Sequence, residues 1–467
     1  MDYGKEQALI LLVLKAFNEL YPKLTIVVDH SYGPGVYCRF RPERKKISLR
    51  KVKKMVERYI NSGIRIGVRR LDRNGLRRFF KSREDILRLL SSGKRRFDCY
   101  TVSSFSDHIL GPVAGAVSDL PDFDLIPYHS GFVITWGDFI ERPNLFRMIQ
   151  EYEEWAEILG VHDAGRLNQA IEEDFTHLVL LAEALHEKKL AYIGDQVIRK
   201  RKRLVVIAGP SASGKTTFSK RLAIQLQTSG FKPVAISIDD YFLPRSETPL
   251  GSDGKPDFES LEAIDIELLN RDLKDLLGGR PVEIPKFNFR TGRPEYRGRV
   301  ERVDRSGIVI LEGIHGLNEE LTYAVRPGVK FKIYISAITQ LNIDDHNRIH
   351  TRDTRLIRRI VRDVQFRDHA VSETILNWPR VVQGEDKNIF PFQEGADIMF
   401  NSALIYELPI LSHYLSPLLG RIRRKDPAYE EAKRLDNLLS YFRPVSDKPV
   451  PANSILREFI GGSIFYY

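Results

Sequence analysis

Residues Gly209-Pro-Ser-Ala-Ser-Gly214-Lys215-Thr216 constrain this chain more than any other stretch, because they satisfy G-x-x-x-x-G-K-[ST] at every fixed position. The apolar run Leu204–Ala208 before them reads as a buried strand, and Thr217–Thr228 after them as an amphipathic helix. Strand, loop and helix in that order build an anion nest. Gly209 and Gly214 let backbone N–H groups turn inward, at the positive end of the helix that follows. In such a loop Lys215 reaches the β- and γ-phosphates of a nucleotide and the Thr216 hydroxyl ligates Mg²⁺. ATP and Mg²⁺ are therefore the expected cofactors, with Gly209, Pro210, Ser211, Ala212, Ser213, Gly214, Lys215, Thr216 and Thr217 around the nucleotide. A chance glycine-serine turn is the alternative, and the flanking strand and helix weigh against it.

Three further segments suit phosphoryl transfer. Val234–Ile238 reads as a strand ending in Asp239-Asp240-Tyr241-Phe242. In a doubly wound sheet ligands gather at the carboxyl ends of strands, so a carboxylate there can face the γ-phosphate. Asp239 is the candidate base for a substrate hydroxyl and a candidate for orienting Mg²⁺; a turn or helix-cap aspartate is the other reading. Ile308–Leu311 followed by Glu312 has the form of a Walker B strand, whose acid holds a metal-bound water. Arg355, Arg358, Arg359 and Arg362 fall at i, i+3, i+4 and i+7, one face of a helix, with Arg367 beyond. Such a helix can bring positive charge over a transferring phosphoryl group. Equally, it is a solvated face paired with Asp353, Asp363 and Asp368.

From Leu204 onward, short apolar runs (also Phe331–Ser336) alternate with helices, the pattern of a parallel sheet covered on both faces. The expected fold class is thus α/β, a C-terminal P-loop NTPase domain preceded by an α+β domain. In the first part, helices are expected at Glu6–Tyr21, Leu49–Ile60 and Asn74–Leu90, and strands at Leu24–Val28, Gly35–Phe40 and Ile64–Arg70. Leu167–Arg199 reads as a helical connector and Asp426–Phe442 as a helix in the tail. The expected domains are 1–160, a connector over 161–200, the P-loop domain over 201–415 and a tail over 416–467.

The net charge of +10 suits anionic partners: nucleotide phosphates, RNA or acidic lipid headgroups. Its clusters at 44–46, 199–203, 355–367 and 421–425 are scattered, which does not by itself make a nucleic-acid stripe, so nucleic acid stays an open partner. No apolar run approaches the roughly 20 residues a membrane span needs. The start, Met1-Asp-Tyr-Gly-Lys-Glu, has no basic-then-apolar leader, and Cys38 and Cys99 build no disulfide framework. A cytoplasmic location is expected.

Together these segments resemble the uridine kinase and phosphoribulokinase family over about Leu204–Ile410. Asp239-Asp240-Tyr241-Phe242 is similar to its Asp-Ser-Phe-Tyr, whose first Asp is the base. Leu311-Glu312-Gly313-Ile314 is similar to its Phe-Glu-Gly-Ile, and Asp353–Asp363 to its lid helix. By this resemblance Arg359 approaches the acceptor's sugar hydroxyls, while Arg362 and Arg367 meet the phosphates. Phe258-Glu259-Ser260 stands where the family has Phe-Asp-His, which keeps a ribose-binding acid as Glu259. Phe287 replaces the Tyr that helps hold the base, and its partner His falls near Gly292. The resemblance implies a substrate site of Asp239, Tyr241, Glu259, Phe287 and Arg359, and a metal site of Thr216, Asp239 and Glu312. A site that no longer hydrogen-bonds a pyrimidine edge loses discrimination, which leaves the acceptor itself open.

The N-terminal half resembles the editing-type second domain of threonyl-tRNA synthetases, through Ala16–Pro22, Tyr32–Tyr37 and Leu110-Gly111-Pro112. The positions of that family's hydrolytic ligands hold Gln7, Leu11, Ile109 and Val113, so hydrolysis is not expected; His108 and His129 are the candidate replacements, with a structural role the favoured reading. The tail, Pro451–Gly462, is similar to that of a bacterial nucleoside-kinase-like class that fuses both modules. The expected activity is ATP-dependent phosphorylation of a hydroxyl on a small molecule, a nucleoside first. Alternatives are another polyol or hydroxy compound, or an RNA-binding regulatory NTPase. The N-terminal half is expected to be a structural or dimerising platform, and the chain a homo-oligomer.

Overall fold

The computed structural model describes residues 2–42, 46–251, 254–304, 306–339 and 341–466, which leaves Arg44 and Lys45 of the first basic cluster outside. The opening helix spans Tyr3–Leu20 and is buried continuously from Glu6 to Phe17, as its all-round apolar surface requires. Beside it lies an antiparallel sheet of Thr25–Ser31, Gly35–Arg41, Gly131–Thr135 and Asp124–Tyr128, in that order. A second antiparallel sheet joins Gly67–Asp72, Arg96–Val102 and Phe105–His108. The single helix expected over 74–90 is instead two, Arg73–Phe79 and Glu84–Arg88. The chain leaves the first at Phe80, whose side chain is drawn into the core. Gln7, Leu11 and Ile109 are buried, and Leu11, Ile109 and Val113 share one apolar cluster, so these positions serve packing.

The connector is a helix over Ala164–Arg199, interrupted at Asp174 (φ −159°, ψ 87°). The Asp174 carboxylate accepts from His177 N at 2.9 Å and so caps the second stretch. The chain then enters a five-stranded parallel sheet of β1 (Leu204–Ala208), β2 (Lys232–Ser237), β3 (Gly307–Glu312), β4 (Lys330–Ser336) and β5 (Ile398–Asn401). Their order is β5-β4-β1-β3-β2, with every pairing parallel. Strand β1 is central and fully buried, which is why its sequence is apolar without alternation. Strand β5 was not legible: four residues are too few to carry a pattern. Three helices matter for the site: α1 (Lys215–Thr228), α2 (Thr351–Phe366) and α3 (Val371–Asn388).

A hairpin over Asn342–Arg348, just ahead of α2, is held by the N-terminal half. Asp344 Oδ2 meets His108 Nδ1 at 2.6 Å, and His108 Nε2 meets the Tyr441 hydroxyl at 2.8 Å. Leu110 N donates to Asn347 Oδ1 at 2.6 Å, and Arg348 donates to Glu6 at 2.6 Å. His108 is fully buried in this network, a structural histidine as expected, while His129 stacks on Phe146 with 4.1 Å between ring centres. The arginine-bearing helix is thereby tied at its N-terminal end to the first half of the chain. Among the described residues no helix is long and apolar enough to cross a membrane.

Candidate active site

The phosphate loop links β1 to α1 with the backbone its sequence demands. Ala212 and Gly214 both have positive φ (59° and 82°), alternating the chain direction so that successive N–H groups converge. Gly209 is required for space, since a Cβ there would lie 2.0 Å from the Ile335 carbonyl oxygen. Lys215 curls back over the loop, its Nζ donating to Gly209 O at 2.9 Å and Pro210 O at 3.2 Å. The buried Ser213 hydroxyl has no partner among the described residues. This donor set fits a polyphosphate chain.

The acids expected at the strand ends are there. Glu312 closes β3, in register with Ile207 of β1 and Ser237 of β2, and its Oε1 accepts from the Thr216 hydroxyl at 3.5 Å. Asp239 lies on the 3₁₀ turn Ile238–Tyr241 that follows β2. Burial pushes the Asp239 carboxyl up, with Lys215 and Arg367 close enough to oppose the shift. Burial likewise raises Glu312 to about 7, against Lys215 and with Asp239 adding to it. No group of three or more metal-ligating side chains occurs among the described residues. A Mg²⁺ ion needs only one or two carboxylates when phosphate oxygens and water complete its shell, and Thr216, Glu312 and Asp239 supply oxygens of that kind.

A raised carboxyl has a testable cost. Glu312 binds its proton more tightly folded than unfolded, so it favours the fold most below the ordinary glutamate value. That contribution is lost as pH rises through about 7. Glu312→Gln should therefore melt a few degrees above the wild type at pH 8, with the gap closing below about pH 5. Equal melting curves at pH 8 would contradict a burial cost larger than what Lys215 and Thr216 return.

Helix α2 does not present its arginines as one face to a ligand. Arg355 and Arg358 are buried struts, a correction to the lid expected from their spacing. Arg355 makes a two-pronged pair with Glu385 of α3 and donates to Ser211 O at 3.2 Å, and the same Glu385 accepts from Ser211 N at 3.0 Å. Arg358 pairs with Glu407 and donates to Ser402 O and Ala212 O. These two arginines brace the phosphate loop from behind. Arg359, Arg362 and Arg367 instead gather on one buried carboxylate, Asp363, at 3.4, 2.7 and 3.6 Å. Arg359 also donates to the Ser211 hydroxyl at 2.8 Å. Three guanidinium groups on one carboxylate leave positive charge for an anion to neutralise.

Glu259 is raised to about 7 by burial and by Glu385, with Arg359 opposing and Asp239 adding, so it shares the field of the same groups. Two expected substrate residues do not reach the site. Tyr241 is 1% exposed with its hydroxyl bonded to Asp272 at 3.1 Å, and Phe287 is 3% exposed inside a cluster with Phe242 and Phe258. Apolar burial claims both rings. Phe289 at the edge of this cluster is 57% exposed and keeps an open ring. A polar cavity of about 360 Å³ lies away from the loop, where His30, Arg39 and Glu153 meet Asp345. It contains none of the expected site residues, so loop geometry and not cavity size marks the site.

A phosphate loop at the carboxyl edge of a parallel sheet, with one acid closing β3 and another on the turn after β2, defines a P-loop kinase. Residues 204–404 match the model of the phosphoribulokinase / uridine kinase family, and the chain belongs to that family through this C-terminal part. A uridine kinase of Ligilactobacillus salivarius is 31% identical over 203 residues, 43% of this chain and 86% of its own. A uridine kinase of Clostridium tetani is 29% identical over 201 residues, 43% of this chain and 87% of its own. A solved structure from Bacillus stearothermophilus, described as a "possible uridine kinase", covers 46% of this chain and 98% of its own, at 17% identity and a TM-score of 0.31. The fold assignment rests on the sheet and the family match, and takes nothing from that last likeness.

Proposed function

We propose that this chain transfers the γ-phosphoryl group of Mg·ATP to a hydroxyl of a small molecule, with a nucleoside as the favoured acceptor class. One observation carries the proposal: Lys215, Asp239 and Glu312 converge at the strand ends beside three arginines that share one carboxylate. Bound Mg·ATP supplies the phosphoryl group and a divalent charge. The chain does the rest. The loop from Gly209 to Thr217 holds the phosphates, with Lys215 toward the γ end, and Thr216, Glu312 and Asp239 would hold the metal. Asp239 takes the proton as the acceptor oxygen forms its bond to phosphorus and ADP departs. Arg359, Arg362 and Arg367 stabilise the charge on the moving phosphoryl group. Glu259 would hold the acceptor's hydroxyls, and Phe289 offers a face for a ring.

The first half of the chain, read as an editing-like module with packed-over ligand positions, acts as a platform that fixes the hairpin and so α2. The test is a coupled ADP-release assay with Mg·ATP against nucleosides, polyols and hydroxy amino acids. Saturable stimulation by one of these names the acceptor class. Turnover that ignores every compound and shifts with tRNA would replace this reading with a regulatory NTPase.

A further inference from the structure

The C-terminal segment docks against the phosphate loop. Ser454, Ile455, Leu456 and Phe459 are fully buried, and burial of three apolar side chains holds the segment in place. Ile455 lies against Gly214, where a Cβ would come within 2.5 Å of its methyl group, and the Arg358 guanidinium stands 5.0 Å from the Phe459 ring centre. This docking sets Glu458 on the first turn of α1. Its Oε2 accepts from Thr217 N at 3.2 Å and from the Thr217 hydroxyl at 2.6 Å.

Thr217 is the third residue of α1, so its N–H is one of the donors that a helix leaves for an anion at its start. In a phosphate loop these donors cradle the α- and β-phosphates, while the lysine serves the β and γ positions. Thr217 is the donor farthest along the helix, at the α end. A carboxylate oxygen therefore stands where an α-phosphate oxygen belongs, and two anions cannot share those donors. Glu458 is also among the charges that raise Glu312, which places it in the field of the same site.

We propose that Glu458 is a specificity-determining residue of the donor site, a built-in occupant of the α-phosphate position that any nucleotide must displace. The inference rests on the loop being a nucleotide site. Its backbone stays docked, so displacement is a swing of the Glu458 side chain alone. Inorganic pyrophosphate, which has no nucleoside to fix a phosphate at the α position and can sit at the Lys215 end, leaves the carboxylate where it is. Specificity then comes from a repulsive element as much as from attractive ones.

The test is equilibrium calorimetry on the full chain with Mg·ADP, a non-hydrolysable Mg·ATP analogue and magnesium pyrophosphate. Wild type, Glu458→Gln and Glu458→Ala are compared, with melting curves to show that each is folded. Removing one charge-assisted contact that competes with the ligand should tighten both nucleotides about tenfold or more. Pyrophosphate should stay within about twofold. Unchanged or weaker nucleotide binding in folded variants would mean that Glu458 only caps α1, and the proposal fails. A common shift for all three ligands also defeats it. If the folded wild type binds neither nucleotide nor pyrophosphate, the nucleotide reading itself falls and takes this inference with it.

Discussion

Replacing Asp239 with Asn should lower kcat about 10²- to 10⁴-fold, the usual worth of a positioned general base. The substitution keeps the shape of the side chain and removes its capacity to accept a proton. Asp239 sits where β2 ends, next to the β3 strand that carries Glu312, in the field of Lys215 and Arg367. Its raised carboxyl provides a control on folding. A buried acid that must ionise costs stability at neutral pH, so the Asn variant should melt at or above the wild-type temperature. Loss of turnover with unchanged or improved melting is then a chemical effect. The wild-type rate should also gain an acidic limb above the ordinary aspartate range, absent from the variant's residual activity. A folded variant whose kcat is within about threefold of wild type would remove Asp239 from the base role.

Replacing Arg355 with Met should destabilise the fold by about 3–5 kcal/mol, because it strands a buried carboxylate. Arg355 and Glu385 are each 1% exposed, and both also hold the backbone of Ser211 in the phosphate loop. The cost should appear twice, as a lower denaturation midpoint and as weaker nucleotide binding. Pairing the change with Glu385→Leu should restore much of the stability, since the unpaired charge is gone, but not the binding, since Ser211 O has lost its donor in both variants and Ser211 N now loses its acceptor as well. Denaturant midpoints and Mg·ADP titrations on the two variants separate these effects. A loss below about 1 kcal/mol for the single variant would show that Glu385 finds other compensation.

What the chain reveals without its fold is whatever is local. The phosphate loop, its strand and its helix are contiguous from Leu204 to Thr228, and glycine, lysine and threonine at fixed spacing leave few other structures open. Asp239 and Glu312 were legible for the same reason, each being the first acid after an apolar strand. The arginines of α2 mark the limit. Spacing places Arg355, Arg358, Arg359 and Arg362 on one side of a helix, but not which carboxylates they meet. Arg355 finds its partner 30 residues on and Arg358 finds Glu407 49 residues on. Burial of those two pairs turned half of an expected lid into a brace. The packing of Tyr241 and Phe287 is likewise a tertiary outcome, since an aromatic beside a catalytic acid reads equally as wall or as core. Glu458 lies in a tail segment that carries a resemblance, but nothing in the sequence signals its contact with the phosphate loop. It reaches Thr217 across 241 residues of chain, and only the docking of an apolar tail makes a glutamate into a neighbour of the phosphate nest.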